Sequence, residues 1–376
     1  MTGYISGVIP QSRFYTKEQI LNELYFDNGT RTSTFKAYLL NRNDVKIGEI
    51  PLIDGSVNFS AFGQIKRNGS IKTKYKKDID YLTERLQPHF VLKMPKEDIE
   101  FPLGVFLIAT APPEDSGFGI DVELQCYDKT IILARDVLDK FETVPEGTNI
   151  INECVKILSE TGFVRISATP NEAVTQRTLT FEPGTSKLQM INDLLQMINY
   201  NVIYFDRNGS AIIEPYLLPI ERDVDIEYTA SNKKMSVILP NLKNELDLFN
   251  IPNKFIVISS NNESDITLTA TYENRNPSSP VSIDRIGWKN VHEPYHVTDI
   301  TNQSVLDDYV KRLAYNYEEK YNKVKFETPN MPFHDYYNCI YLGYPNFEIN
   351  AKFLETAWSM NFNGSMTHEL RRKVEI

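Results

Sequence analysis

The stretch TFEPGTSKLQMINDLLQMINYNVIYFDRNGSAIIEPY (Thr180–Tyr216) sets the organisation of this 376-residue chain. Ser186 opens a helix whose Leu188, Ile191, Leu194, Leu195 and Ile198 recur at helical spacing and face inward. Asn201–Phe205, the turn Asp206-Arg207-Asn208-Gly209 and Ser210–Glu214 then read as strand, turn and strand, closed by Pro215. Just upstream, TNIINECVKILSETG starts at Thr148 with a capping threonine. It carries Ile151, Val155 and Leu158 on one face and ends at Gly162. Residues 146–218 are thus expected to form a small separate α/β unit.

On either side of this unit the texture is that of strands. From Thr34 to about Phe141, FKAYLL, SVNFSAFGQIKR, SIKTKYKK, FVLKM, GVFLIATA and IDVELQCYD are short runs of β-branched and aromatic residues between turn signals. Arg67-Asn68-Gly69-Ser70 predicts a type I′ hairpin joining Phe59–Lys66 to Ile71–Lys76. Lys72, Lys74 and Lys76 would then share one face of a solvated edge strand. Beyond Pro219 come DVDIEY, KMSVIL, KFIVISS and DITLTATY, a polar loop at 274–280, one long helix over 303–320, and strands to the end. The helix places Leu306, Val310, Leu313, Ala314 and Tyr317 together. Residues 1–33 read as an arm with a short helix capped by Thr16, bearing Ile20, Leu21 and Leu24. GVFLIATA with IDVELQCYDK, and KFIVIS with DITLTATYEN, form a weak internal echo, each ending in Tyr-acid-polar. The expected architecture is mainly β (α+β): β-barrel regions at 34–145 and 219–376, with the α/β unit between them.

Composition narrows the function. Lysine and arginine total 40 against 50 acidic residues, a net charge of −10, which disfavours DNA or an anionic membrane as the main partner. Aromatic residues at 11% and charged residues at 24% fit ordered cores rather than disorder. The cysteines Cys126, Cys154 and Cys339 are widely spaced, without CxxC or Cys/His pairing, as in a reducing cytoplasm. The first residues show no basic segment leading into an apolar run. The longest apolar stretch, Leu103–Ala111, is too short to cross a bilayer, so no stable membrane insertion is expected.

The sharpest catalytic lure is His292-Glu293-Pro294-Tyr295-His296, which matches the H-E-x-x-H pattern of zinc peptidases, with Glu318 or Glu319 as a third ligand. Pro294 and the turn and strand residues around it oppose the helix that this chemistry needs. An extended segment with two rim histidines is the favoured reading. His89, His334 and His368 lack partners that sequence can place in a triad, and Cys339 near His334 reads as a small hydrophobe in a half-buried strand. Glu182-Pro183-Gly184-Thr185-Ser186-Lys187 lacks the full phosphate-loop pattern. The pairs Asp78/Asp80, Asp307/Asp308 and Glu318/Glu319 sit in turns or on polar helix faces. No catalytic, cofactor-binding or metal-ligating residue is assigned, and no cofactor is expected. Tyr336, Tyr337, Tyr341 and Tyr344 are the best candidates for stacking on a carbohydrate, against ordinary packing as the commoner cause.

The Thr180–Tyr216 stretch, with its aromatic-x-Pro-Gly-Thr-Ser box, helix and strand–NG–strand hairpin, resembles the hub proteins of phage tails. The same order continues in Asp247–Lys254, in Asn276–Pro280 with Ile283 and Gly287, in the helix through Leu313-Ala314, in Phe326-Glu327-Thr328 and in Met331-Pro332. Upstream, Phe101–Phe106 looks like the family's strand entering the first barrel. The resemblance covers roughly residues 79–344. It implies a homotrimeric tail-tip or baseplate hub, each chain bringing two tube-like barrels, so that six similar units meet a hexameric tail tube. The implied neighbours are a tail tube or distal tail protein above, tip, spike or receptor-binding proteins below, and the tape measure protein. Phage DNA would pass through the lumen without specific binding. The implied location is the virion tail, assembled in the cytoplasm of the host bacterium. The competing classes are a host-surface carbohydrate-binding module and a tail-associated zinc peptidase.

Overall fold

The computed structural model describes residues 3–26, 30–115, 117, 119–217, 222–230, 237–246, 251–261, 266–279, 281–297, 300, 302–318 and 322–372. An arm carries α1 (Gly3–Val8) and α2 (Lys17–Leu24). Thr16 and Gln19 cap α2 reciprocally, and its buried Ile20 and Leu24 join the main core. The first β region comprises β1 (Thr32–Leu40), β2 (Lys46–Ile50), β3 (Leu52–Ser60), β4 (Arg67–Lys74), β5 (Arg85–Lys93), β6 (Asp98–Pro102), β7 (Phe106–Thr110), β8 (Pro113–Asp115) and β9 (Ile120–Asp128). Next come α3 (Thr130–Arg135), β10 (Glu142–Val144), α4 (Ile150–Glu160), β11 (Ile166–Ala168), β12 (Leu179–Phe181), α5 (Lys187–Met197), β13 (Tyr204–Phe205) and β14 (Ala211–Ile213). The remainder holds β15 (Ile226–Thr229), β16 (Lys243–Leu246), β17 (Lys254–Asn261), β18 (Ile266–Glu273), α6 (Ile283–Ile286) and β19 (Tyr295–Val297). It ends with α7 (Gln303–Glu318), β20 (Asn322–Pro329), β21 (Cys339–Tyr344), β22 (Ile349–Asn361) and β23 (Ser365–Arg372).

The fold is mainly β, as the sequence implied. Both β regions contribute to one 15-stranded sheet whose main path runs β16-β20-β23-β22-β3-β4-β9-β7-β5-β1-β2, with β21 on β22, β15 on β21, β6 on β5 and β8 on β9. The seam between them is the antiparallel pairing of β22 with β3, Ala357 opposite Ser60 through Asn361 opposite Ser56. Val57 and Phe59 of β3 alternate inward, as do Trp358 and Met360 of β22, so the pairing joins two apolar faces into one. Phe90, Phe101 and Phe106 accordingly share a single core with Tyr228, Phe333 and Phe353. Each such side chain contributes about 1.5–3 kcal/mol of hydrophobic stabilisation. The sheet and core therefore run across the expected division between two barrels.

Two smaller bodies flank this sheet. Residues from Leu133 to Ile213 bury a second core between α3, α4, α5 and the β11–β14–β13 sheet. Ser186 caps α5 as expected. Asn149 rather than Thr148 caps α4, because its side chain accepts the Asn152 amide at 2.9 Å while the Thr148 hydroxyl turns to the Pro145 carbonyl. The third body is the sheet β18-β17-β19, covered by α7 through Leu306, Val310 and Ala314. Residues 319–320 of the expected helix, and 234–236 of the expected strand KMSVIL, fall outside the described residues, while Val237–Leu239 of that stretch are not in a strand. Among the described residues no helix is long and apolar enough to cross a membrane.

The two Asn-Gly hairpins turn out differently. The second forms where expected: β13 and β14 pair around Asp206–Gly209, with Gly209 at φ +76°. At the first, the turn lies at residues 61–66 and Asn68-Gly69 belongs to β4. Gly69 is needed there for close approach, not for a turn: a Cβ would meet the Ser56 carbonyl oxygen at 2.8 Å. Asn68 instead accepts a hydrogen bond from the Asn58 amide at 3.0 Å across the strands. Strand β4 is also not an edge. It pairs with β3 and β9, and Lys72 and Lys74 both reach Asp121 on β9, at 4.0 and 2.5 Å.

Candidate functional site: a buried polar seam

The fold gathers its buried polar side chains where β15, β20, β22 and β23 meet the loop at residues 330–338. Glu355 lies fully buried on β22 and binds two imidazoles. His334 Nδ1 lies 2.6 Å from Oε2 and His368 Nδ1 2.8 Å from Oε1. Behind the rings, the Tyr228 hydroxyl lies 2.7 Å from His334 Nε2, and the Thr328 hydroxyl 2.8 Å from His368 Nε2. Four hydrogen bonds need four protons. An ionised Glu355, two imidazoles protonated at Nδ1 and two donating hydroxyls supply that number. Burial pushes the Glu355 carboxyl up to about 7, against the opposing hydrogen bond and charge of His368. Burial drives His334 down to about 3 and His368 down to about 4.

Next to His334, Asp335 holds the small α/β unit on the β core. Arg207, at the tip of the β13–β14 hairpin, reaches Asp335 Oδ2 through Nε at 3.1 Å. It also donates to the carbonyls of Pro332 and Phe333 at 3.2 and 3.0 Å. Arg67 of β4, 2% exposed, takes the other Asp335 oxygen. Burial opposes the Asp335 charge, yet the two guanidiniums hold its carboxyl below the usual range. A second clamp sits at the other side of the same hairpin. Lys129 is buried and donates to Asp44 and to the Gly209 carbonyl, the latter at 2.7 Å. Arg85 and Arg165 also reach Asp44, at 2.7 and 2.5 Å. Burial works against that charge too, and hydrogen bonds from Lys129, Arg165 and Arg85 hold Asp44 low.

The residues singled out in the sequence lie elsewhere. His292–His296 leads into strand β19, with His296 paired to Ile258 in the β17 register, so no helix brings the two imidazoles to one face. His292 Nε2 instead meets the Tyr317 hydroxyl at 2.6 Å. Glu319 lies outside the described residues. Tyr336 is buried, stacked on Tyr204 at 4.0 Å between centroids and edge-on to Phe59, so its ring faces are taken by protein. Tyr344 stacks on Phe347, and Tyr341 bonds Asn350. Cys339 packs in β21 opposite Leu354, while His334 turns to Glu355 and Tyr228. Burial pushes the thiols up, to about 12 for Cys126 and Cys154 and to about 11 for Cys339, which suppresses their reactive thiolate form.

Sequence reasoning missed the convergence of His334, Glu355 and His368. One signal was available: Met366, His368 and Leu370 alternate along β23, which places His368 inward with two hydrophobes. Glu355 gives no such signal. A register shift between Glu355 and Ala357 breaks the alternation of β22, and Phe353, Leu354, Glu355 and Thr356 are all buried in succession.

No family model matches this chain, and no curated protein matches its sequence. Solved structures do match. A tail protein from Neisseria meningitidis MC58 superposes with a TM-score of 0.66 at 10% identity, over 90% of this chain and 97% of that one. The 43 kDa tail protein of prophage MuSo2 from Shewanella oneidensis gives 0.63 at 9% identity, over 90% and 98% of the two chains. The chain has the fold of phage tail proteins. Prophage tail protein gp18 from Listeria monocytogenes gives a TM-score of 0.56 at 11% identity, over 90% and 95%. The buried polar seam ties the α/β unit and the loop at 330–338 to the central sheet through Arg207, Asp335 and Arg67.

Proposed function

We propose that this chain is a structural component of a phage tail tip or baseplate: a trimeric hub that adapts a hexameric tail tube to a threefold tip and forms part of the DNA-conducting channel. One observation carries the reading, the tail-protein fold shared along 90% of this chain and 95–98% of three tail proteins. In this reading residues 1–33 are an arm, and the β regions at 34–145 and 219–376 each supply one of six similar units in the trimer. Residues 146–218 are the inserted α/β unit. The β3–β22 seam supports it by fixing the two β regions of a chain to each other. The chain acts through assembly geometry and not through catalysis. Its neighbours are the tail tube or distal tail protein, the tip proteins and the tape measure, in a virion assembled in the host cytoplasm.

The solvent face of the central sheet supports the channel role. Ser359 donates to Asn58 at 2.6 Å and Asn58 to Asn68 at 3.0 Å, and Ser70 and Gln125 lie alongside on paired strands. The same face carries Glu123, which accepts from Ser70 at 2.6 Å, and Lys72 and Lys74, which both pair with Asp121, so its cations are matched by carboxylates within the sheet, on a chain of net charge −10. The test is the stoichiometry of purified tail particles by quantitative mass spectrometry, with the full-length chain measured by native mass. Three copies per tail are expected. Six copies, or absence from the particle, overturns the reading.

A further inference from the structure

His334, Glu355 and His368 are wholly inside the β core, and one ligand atom from each lies within 4.8 Å of the others. Residues of these types are seldom fully buried unless they are paired or coordinate a metal. Their arrangement goes further than pairing. The two Nδ1 atoms address different oxygens of one carboxylate, so two imidazole nitrogens and a carboxylate face one another. Each imidazole is fixed from behind by a hydroxyl on its Nε2, Tyr228 for one and Thr328 for the other. With the ring proton moved to Nε2, each hydroxyl would accept from its imidazole, the outer-shell hydrogen bond that orients a metal-ligating histidine.

We propose that His334, Glu355 and His368 form a structural binding site for one divalent transition-metal ion, with zinc the best match to the donor set. Zinc accepts imidazole nitrogen and carboxylate oxygen, has no redox chemistry, and occupies closed four-donor sites without an open position for water. On loading, the ion takes the place now held by the two Nδ1 protons. Each imidazole then carries its proton on Nε2 and donates to the Tyr228 or Thr328 hydroxyl, which changes from donor to acceptor. No proton leaves the site. The ion ties the loop at 330–338, which also holds Arg207 through Asp335, to strands β22 and β23. This proposal stands apart from the tail-hub reading.

The test uses the full-length chain purified without chelator and without an immobilised-metal column. Elemental analysis is expected to find about one zinc per chain. A sample unfolded and refolded with EDTA should regain roughly 5 °C or more in melting temperature when zinc is added. Cobalt(II) in place of zinc should give the visible absorption of a four-coordinate site. His368→Gln keeps an amide beside Glu355 and should lose the metal, while Cys339→Ser should keep it. If His368→Gln does not fold, the metal content of the native chain decides. Less than about a tenth of an equivalent of any transition metal, together with a melting temperature unmoved by zinc, overturns the proposal and leaves the cluster as a proton-bonded network.

Discussion

The two echoed hairpins end on similar sequences, Tyr127-Asp128-Lys129 and Tyr272-Glu273-Asn274; both bury the last residue, and they use the acidic one in opposite ways. In the first, β7 and β9 sit inside the central sheet, and both polar residues are buried. Asp128 accepts the backbone amides of Arg67 and Thr130, each at 2.9 Å, and Lys129 clamps Asp44 and Gly209. In the second, β17 and β18 form a separate layer. There Glu273 gathers Lys254, Lys289 and Arg275 at 3.1, 2.6 and 2.9 Å on the surface. Hydrogen bonds from Lys289, Lys254 and Arg275 draw its carboxyl down to about 2. The acidic residue of the pattern is thus a structural pin where neighbours cover it and the centre of a solvated ion cluster where they do not. Covering decides, because desolvation makes a broken partner costly inside and nearly free outside.

Four measurements break or sharpen this contrast. The largest expected effect is at the first hairpin. Asp44→Asn leaves buried Lys129 without its anion and should cost roughly 3–5 kcal/mol in denaturant unfolding. An effect as small as that of a surface pair would break the contrast. Gly209→Ala attacks the same clamp from the other side. Its positive φ opposes a side chain, and a Cβ would meet Lys129 Nζ at 2.9 Å and Val105 at 3.0 Å. A loss of about 2 kcal/mol is expected, along with earlier proteolysis of the α/β unit.

Acid should distinguish the buried strategy from the exposed one. His89 on β5 is driven down to about 4, mainly by burial, from an ordinary 6.5. Its folded form therefore excludes the proton. The stability linked to it is complete above about 6.5 and declines as the pH falls towards 4. Unfolding midpoints of the native chain and of His89→Gln, compared across that window, should converge at the acid end. Parallel pH profiles would remove His89 from the account. The smallest effect belongs to Glu273→Gln. It should shift the melting temperature slightly at low salt and not measurably at about 1 M salt, because screening already weakens the exposed cluster.

Much of the fold was legible from residue patterns that act locally. The capping Ser186 and the spacing of Leu188, Ile191, Leu194 and Leu195 define α5. Asp206–Gly209 needed only its own turn chemistry, with Gly209 accepting a positive φ. Asn68-Gly69 carries the same two letters, yet its glycine answers to the Ser56 carbonyl of a neighbouring strand, so turn chemistry alone pointed to the wrong place. The polar seam was hidden for a similar reason. Its members come from positions 67, 207, 228, 328, 334, 335, 355 and 368, and apart from the neighbours His334 and Asp335 no short-range spacing links them.

Periodicity, caps and turn residues were enough to give a mainly β chain with an α/β insert, since those signals act over a few neighbouring residues. The union of the two β regions was settled by the pairing of β3 with β22, nearly three hundred positions apart. So was the burial of Glu355 between two histidines, because desolvation and strand register depend on which distant segments end up side by side.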